Sequence, residues 1–494
     1  MRIVEVSSEI VPFSKSGGLA DVVGALSPAL VSRGHQVMTV SPWYGRMSGE
    51  FSPSDTGHRY RFFAQGQAQE ARFLHLERDG VHHVFLDHPY YERRGLYGDQ
   101  NGTFGDNHLR YALLARAAIE APRVLPLLGG QPFGQEVLFH VHDWPAALVP
   151  VYLDAHYRPM HLYPRAATVL TLHNNMHQGR FPGSTFADLD LPPRLFSPAG
   201  VEWHGDVGFL KGGLLAADEL TTVSPTHARE ITTPELGFGL DPILRGREDR
   251  LHGILNGLDT DTWDPVTDPF LPANFHATDL SGKATCKAAL QAELGLPVDG
   301  RIPLLASVGR LDPQKGVELL LESIPWIAQA GGQVIVLGSA AAAHRHYEDR
   351  LHALARVWPN NLRVQTTFDE GLAHRFSAAA DLFVMPSQFE PCGLSQLIAL
   401  RYGTVPVVRY TGGLADTVEN YDPDRNTGTG WTFTPLSGWA FREALHWAMT
   451  TWRSHPQVFD QIRQRGMGQD LSWDRSSQAY ERVFAKALAR RRGN

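Results

Sequence analysis

Short apolar runs rich in Val, Ile and Leu alternate along this chain with longer stretches whose apolar residues recur at helical spacing. The runs at 2–6, 36–41, 137–142, 167–172, 219–223, 251–255, 303–308, 333–337, 381–385 and 404–409 read as buried strands. Between them, 20–33, 108–120, 317–329 and 394–402 read as helices. Apolar strands alternating with helices predict α/β architecture, with parallel sheets covered on both faces. The stretch 262–275, with Trp263-Asp264-Pro265, Asp268-Pro269 and Leu271-Pro272, breaks the rhythm and marks a hinge. The alternation then restarts, so two α/β lobes of roughly equal size are expected. From Ser472 onward, Trp473, Tyr480, Val483, Phe484 and Leu488 predict a final helix. Its basic end, Arg490-Arg491-Arg492, complements the helix dipole.

What ends each run changes the picture. In open parallel sheets, ligands bind beyond the carboxyl ends of the strands. There this chain places Lys15 and a Gly-Gly loop, Asp143-Trp144, His173-Asn174-Asn175, Ser224-Pro225 and Asn256-Gly257. In the second lobe the same positions hold Gly309-Arg310, Gly338-Ser339, Ser387 through Gly393 and Thr411-Gly412-Gly413. The pentapeptide Gly-Gly-Leu-Ala-Asp occurs at 17–21 and again at 412–416, each time after an apolar run and before a helical pattern. Paired glycines let a backbone approach a ligand, and a helix N-terminus favours negative charge there. Two such loops predict an interdomain cleft.

Composition narrows the ligand. The 494 residues carry a net charge of −7 with 43% hydrophobic and 20% charged residues, which argues against a nucleic-acid groove or an anionic-membrane surface. A small ligand held by local basic residues is expected instead. Cys286 and Cys392 are the two cysteines and suggest no disulfide framework. Met1-Arg2-Ile3-Val4-Glu5-Val6 leads straight into a strand, so no signal peptide is expected, and no apolar run approaches the ~20 residues of a membrane span. The expected location is cytoplasmic.

Arg310 and Lys315 lie in Gly309-Arg310-Leu311-Asp312-Pro313-Gln314-Lys315-Gly316, a strand end, a turn and a helix start. That geometry aims two cations at one spot, suited to phosphate oxygens. Glu390, in Phe389-Glu390-Pro391-Cys392-Gly393-Leu394, serves equally well as a helix cap or as a carboxylate that grips sugar hydroxyls or stabilises an oxocarbenium ion. Cys392 reads as a packing residue. His140, His142, His173 and His177 raise a metal-hydrolase reading. The later strand ends offer Asn256, Arg310, Thr411 and Gly412, which are poor company for a divalent metal.

Together these segments resemble the family of bacterial glycogen synthases and starch synthases. The stretches that carry the resemblance are Lys15 through Val22, His142-Asp143-Trp144, His173-Asn174, Phe209-Leu210-Lys211-Gly212-Gly213, Thr222 through Thr226 and His252 through Asp259. They continue with Gly309-Arg310-Leu311, Gln314-Lys315-Gly316, Glu390 through Leu394 and Thr411 through Val418. They span nearly the whole chain in the family's order. The resemblance implies the GT-B fold: two Rossmann-like, doubly wound lobes at 1–261 and 262–471, with helix 472–494 crossing back to the first. It implies retaining transfer of glucose from ADP-glucose, a substrate, to the non-reducing-end 4-hydroxyl of an α-1,4-glucan (glycogen). No cofactor or metal, nucleic-acid partner or membrane is implied. Arg310 and Lys315 would hold the diphosphate. Lys15, Gly17, Gly18 and Asp21 would approach the donor from the other lobe. Glu390 and His173 would flank the transferred glucose, with Asp143 near the reacting sugar. Thr411, Gly412 and Gly413 would give backbone donors to phosphate. Asn174, Asn256, Cys392, Gly393 and Leu394 would line the substrate, and Tyr97, with Asp106-Asn107, the acceptor side.

Three positions depart from the family pattern. His177 and His227 stand where Tyr is usual, and Ile398 stands where many retaining GT-B enzymes carry a second Glu. The choice of ADP over UDP rests on the family alone, because no residue identifies the base. The rival readings are a UDP-sugar transferase or sugar-nucleotide epimerase, a His-x-His metal hydrolase, and a catalytically silent glucan-binding protein.

Overall fold

The computed structural model describes residues 1–45, 51–64, 66–99, 102–367 and 369–493. The chain divides into two units, Met1–Gly257 with Trp473–Asn494, and Leu258–Ser472.

The first unit is built on a nine-stranded sheet. Its strands are β1 (Arg2–Val6), β2 (Gln36–Pro42), β3 (Ser54–Ala64), β4 (Gln67–Arg78), β5 (Val81–Asp87), β6 (Leu138–His142), β7 (Ala167–Leu172), β8 (Glu219–Thr222) and β9 (Leu251–Gly253). They lie in the order β9-β8-β7-β6-β1-β2-β5-β4-β3. The pairs from β9 to β5 are parallel, and the strand order changes direction at β1, from which the sheet builds outward on both sides. Strands β3 and β4 add antiparallel at one edge. They were not expected. Sequences such as Gln67-Ala68-Gln69-Glu70 are polar and half-exposed, so a search for apolar runs passes over them. One face buries Val4, Val6, Phe139 and Val141 under the helix Asn107–Val124. The other buries Ile3, Val37, Leu138 and Val169 under Gly18–Ser32 and the C-terminal helix, Trp473–Gly493. Each large apolar side chain so buried contributes about 1.5–3 kcal/mol.

The second unit holds a six-stranded parallel sheet: β10 (Leu304–Val308), β11 (Gln333–Leu337), β12 (Leu362–Gln365), β13 (Leu382–Met385), β14 (Val405–Arg409) and β15 (Trp431–Phe433). The order is β12-β11-β10-β13-β14-β15. Leu305, Val334 and Val384 pack with helix Val317–Gln329 on one face, and Leu304, Ile335 and Phe383 pack with Leu290 and Phe376 on the other. The proline-rich residues 262–275 are packed into this unit. Trp263 stacks on His374 with ring centroids 3.8 Å apart, and buried Asp268 accepts hydrogen bonds from His374 and Tyr402.

Candidate active site

The turn after β10 is shaped by its own sequence. Asp312 caps the helical turn Pro313–Lys315, its carboxylate accepting the Lys315 amide at 3.1 Å, with Pro313 in the first position. The same carboxylate pairs with Arg310 at 2.8 Å. Gly316 ends the turn at φ 69°, and a Cβ there would collide with the Pro386 carbonyl. Only glycine therefore lets this turn close on the loop after β13. The Gln388 amide then donates to the Gln314 carbonyl at 2.7 Å. As a result Lys315 Nζ reaches Glu390 Oε2 at 2.6 Å.

Glu390 is buried and also accepts a bond from Ser387 Oγ at 3.2 Å. The following helix, Ser395–Arg401, has Leu394 at its N-cap and no side-chain cap. Glu390 is therefore not a helix cap; its carboxylate is held in an ion pair with Lys315. Cys392 is buried. Gly393 turns at φ 75°, and Gln396 Nε2 ties down the Cys392 and Gly393 carbonyls. The second Gly-Gly loop packs against this segment. A Cβ on Gly412 would strike the Glu390 carbonyl, and one on Gly413 the Cys392 carbonyl. The Gly413 amide donates to the Glu390 and Pro391 carbonyls, and the Thr411 amide to the Arg409 carbonyl. The Thr411 and Gly413 amides are thus hydrogen-bonded within the protein.

The first Gly-Gly loop is different. Gly17 is the N-cap of helix Gly18–Ser32, and nothing lies within 4 Å of a Cβ placed on it. Lys15, half-exposed, pairs with Asp21 at 2.7 Å. The loop is held from below by Glu9, which the sequence reading missed. Buried Glu9 accepts the Ser16 amide, Ser16 Oγ at 3.1 Å and Tyr97 OH at 3.2 Å. Burial pushes the Glu9 carboxyl up, against the pull of the Ser16 bonds. Tyr97 OH also bonds Ser8 Oγ at 2.6 Å, and Asn107 Nδ2 holds the Tyr97 carbonyl at 2.8 Å. The position of Glu9, just past the end of β1, is the signal that would have found it.

Asp143 opens the short helix Asp143–Ala146 at φ 54°, a left-handed conformation uncommon outside glycine. Its Oδ1 accepts the His173 amide at 2.7 Å and the Asn174 amide at 3.5 Å, which ties the ends of β6 and β7 together. Burial, reinforced by nearby Glu9 and opposed by these amides, raises the Asp143 carboxyl to about 7. His173 is held well below the usual imidazole range, first by burial and then by His142. Asn174 Oδ1 accepts the Met176 amide. Asn256 is buried, with no partner for its Oδ1 among the described residues. Of the residues that depart from the family pattern, His177 is exposed just past Asn174 and His227 is buried beside Glu230.

Among the described residues, one group brings three metal-capable side chains within 4.8 Å: Glu5, His140 and His142. The sequence reading found the histidines without Glu5. All three are fully buried; His142 Nε2 hydrogen-bonds Glu5 Oε2 at 2.7 Å, and His140 Nδ1 lies 2.8 Å from the same oxygen.

Comparison with known proteins settles what carries these groups. Residues 2–246 match the starch synthase catalytic domain family, and residues 295–464 match glycosyl transferases group 1. Glycogen synthase from Anaeromyxobacter sp. (strain Fw109-5) is 44% identical across 99% of this chain and 100% of its own length. The chain belongs to the glycogen and starch synthase family. Soluble starch synthase 1 of Solanum tuberosum is also 44% identical, across 99% of this chain and 78% of its own. The catalytic domain of starch synthase IV from Arabidopsis thaliana, solved with ADP and acarbose, matches with a TM-score of 0.89 at 33% identity over 99% of both chains. Family membership makes the fold GT-B and the activity glycosyl transfer that extends a glucan chain.

Within that family frame, the second unit brings Arg310, Lys315 and Glu390 together with Cys392, Gly393, Leu394 and the 411–413 loop. The first unit brings Asp143, His173 and Asn174 together, and joins Tyr97 to the base of the Lys15–Asp21 loop through Glu9. Asp312 and Ser387 were not anticipated as supports for Lys315 and Glu390, although Asp before Pro at a turn is a readable capping signal.

Proposed function

We propose that this enzyme transfers glucose from ADP-glucose, with retention, to the non-reducing-end 4-hydroxyl of an α-1,4-glucan. The observation that carries the reading is the Asp312-capped turn, which presents Arg310 and Lys315 beside Glu390. Arg310 is 57% exposed on its side chain and offers a planar fork to the diphosphate. Lys315 has three N–H donors, so it can hold Glu390 with one and meet a phosphate oxygen with another. As the glucosyl bond breaks, charge builds on the departing ADP. A cation ~4 Å away lowers that cost by about 4 kcal/mol at an effective dielectric of ~20. These two cations take the part a metal would otherwise play, and ADP-glucose is a substrate, so no cofactor enters the reaction.

In this reading Glu390, kept in place by Lys315 and Ser387, faces the glucose and its developing positive charge. His173 and Asn174 bind sugar hydroxyls. Asp143 lies near the reacting sugar and the acceptor hydroxyl. Lys15, Gly17, Gly18 and Asp21 contact the donor, Tyr97 and Asn256 contact substrate, and Cys392, Gly393, Leu394 and the 411–413 loop shape the ground around Glu390. The starch synthase IV structure with ADP and acarbose supports the adenine nucleotide and the glucan, and the reaction is placed in the cytoplasm. The test is glucan extension with ADP-glucose and UDP-glucose side by side, with and without chelator. Faster extension with ADP-glucose, unchanged by chelator, is expected. Preference for UDP-glucose overturns the donor assignment, and loss of activity with chelator overturns the metal-free chemistry.

A further inference from the structure

A hydrogen-bonded chain runs from the first strand to His173. The parallel register sets Glu5 of β1 opposite His140 of β6, and His142 opposite Thr171 of β7. Glu5 Oε2 lies 2.7 Å from His142 Nε2 and 2.8 Å from His140 Nδ1. His142 Nδ1 lies 3.0 Å from His173 Nε2. Glu5, His140 and His142 are 0% exposed. The rings of Tyr480 and Phe484 in the C-terminal helix cover His140 at 5.2 and 5.1 Å. Burial raises the Glu5 carboxyl, but the attraction and hydrogen bonds of the two histidines outweigh it and hold it at about 2, while burial and His140 bring His142 down to about 4.

The hydrogen bonds fix where the protons sit. A carboxylate only accepts, so His142 carries its proton on Nε2. Its Nδ1 is then an acceptor, and His173 must donate from Nε2. That leaves a lone pair on His173 Nδ1. Among the described residues no protein group bonds this nitrogen, and His173 is partly exposed. A carboxylate behind a histidine fixes its tautomer and orientation in other sites by the same means.

We propose that Glu5 is a positioning residue for glucosyl transfer: through His142 it holds His173 in the Nε2–H tautomer, so that Nδ1 accepts a hydrogen bond from a substrate hydroxyl. The proposal rests on the reading of His173 as a residue at the transferred glucose. Without an acceptor at position 5, His142 is free to carry its proton on Nδ1. His173 then takes the Nδ1–H form and presents a donor where an acceptor is needed.

The test combines kinetics with ¹⁵N-histidine NMR on the full chain, the signals of His142 and His173 being assigned by substitution. Glu5→Leu is expected to shift His173 toward Nδ1–H and to lower kcat by roughly 10–100-fold. In a His173→Ala background, Glu5→Leu should cost nothing further. Equal losses in both backgrounds, or an unchanged His173 tautomer with kcat lowered, overturn the proposal alone. Near-native turnover of His173→Ala overturns the site reading and the proposal together. Should Glu5→Leu not fold, Glu5→Gln decides. Its carbonyl can still accept from His142, and turnover should follow whichever His173 tautomer the spectrum shows. Turnover that departs from the tautomer overturns the proposal.

Discussion

Replacing glycine by alanine in each copy of Gly-Gly-Leu-Ala-Asp should give opposite phenotypes. At Gly413 a Cβ would overlap the Cys392 carbonyl oxygen and Cα, which are backbone atoms that cannot swing aside. Overpacking of this kind costs about 1–3 kcal/mol, or about 2–4 °C of Tm per kcal/mol for a domain of this size. The displaced segment carries Glu390, so turnover should fall with stability. At Gly17 the backbone is extended, at φ −159°, and no atom lies within 4 Å of the added methyl. Stability should therefore stay within about 0.5 kcal/mol of the parent. If the open space beside Gly17 is where the donor comes to rest, Gly17→Ala raises KM for ADP-glucose or lowers kcat. The assay is thermal unfolding of each variant together with initial rates over a range of donor concentration. Native donor kinetics in Gly17→Ala would show that the first glycine pair does not make room for a ligand. A stable Gly413→Ala would refute the steric argument.

Three further outcomes follow from the same geometry. Lys315→Ala should lower kcat by ~10²–10³ through lost leaving-group stabilisation, and near-native turnover would remove that role. Glu390→Gln should keep the fold, because the side chain caps no helix, while transfer is abolished; a large loss of Tm with activity retained would count against its placement at the sugar. Asp143, raised to about 7 from its unfolded value near 3.8, contributes stability that is present below about pH 4 and lost as pH rises to 7. Asp143→Asn should flatten thermal stability over that range, by at most about 4 kcal/mol, and an unchanged pH slope would show that Asp143 titrates normally.

Most of the parallel strands were legible because both of their faces are buried and their sequences are largely apolar; the parallel strands at 81–87, 362–365 and 431–433 escaped, because the first two carry polar residues (His82-His83, Arg363, Gln365) and the third is only three residues long. The 54–78 hairpin was not legible, because its residues alternate with solvent on one side. At the site, charge and position at strand ends led to Arg310, Lys315, Glu390, Asp143 and His173. What escaped were the groups beneath them. Glu9, Asp312 and Ser387 act through backbone amides or through a partner three to seven residues away, and Glu5 acts across the sheet on residues more than 130 positions distant. No spacing rule reaches that far, because the contact exists only once β1 and β6 are paired. Lys211 shows the converse. It lies in a segment that matches the family, yet its Nζ is spent on the carbonyls of Pro198, Gly200 and Glu202, at 2.6 to 2.8 Å, and holds a loop.

Glycine pairs in this chain therefore cannot be read by sequence alone. Gly212 and Gly213, after Lys211, sit where a Cβ would come within 2.6 Å of Val201 and of the Ala147 carbonyl, so they permit helix packing. Gly412 and Gly413 let one loop lie against another and so set where Glu390 is held. Gly17, by contrast, has no atom within 4 Å of an added Cβ. The repeated pentapeptide codes the same strand-to-helix turn twice, but the neighbour that each turn meets decides its role. In the second unit that neighbour is the protein's own backbone, already hydrogen-bonded to the Gly413 amide. In the first, the space is unfilled, while Glu9 draws the Ser16 amide inward and fixes the loop from behind. A loop held rigid from below and open above is suited to meet a ligand without rearranging, which lowers the ordering cost of binding. The donor contact proposed for the first copy is thus the role that Gly17→Ala kinetics test, while the packing of the second copy bears on where Glu390 is held.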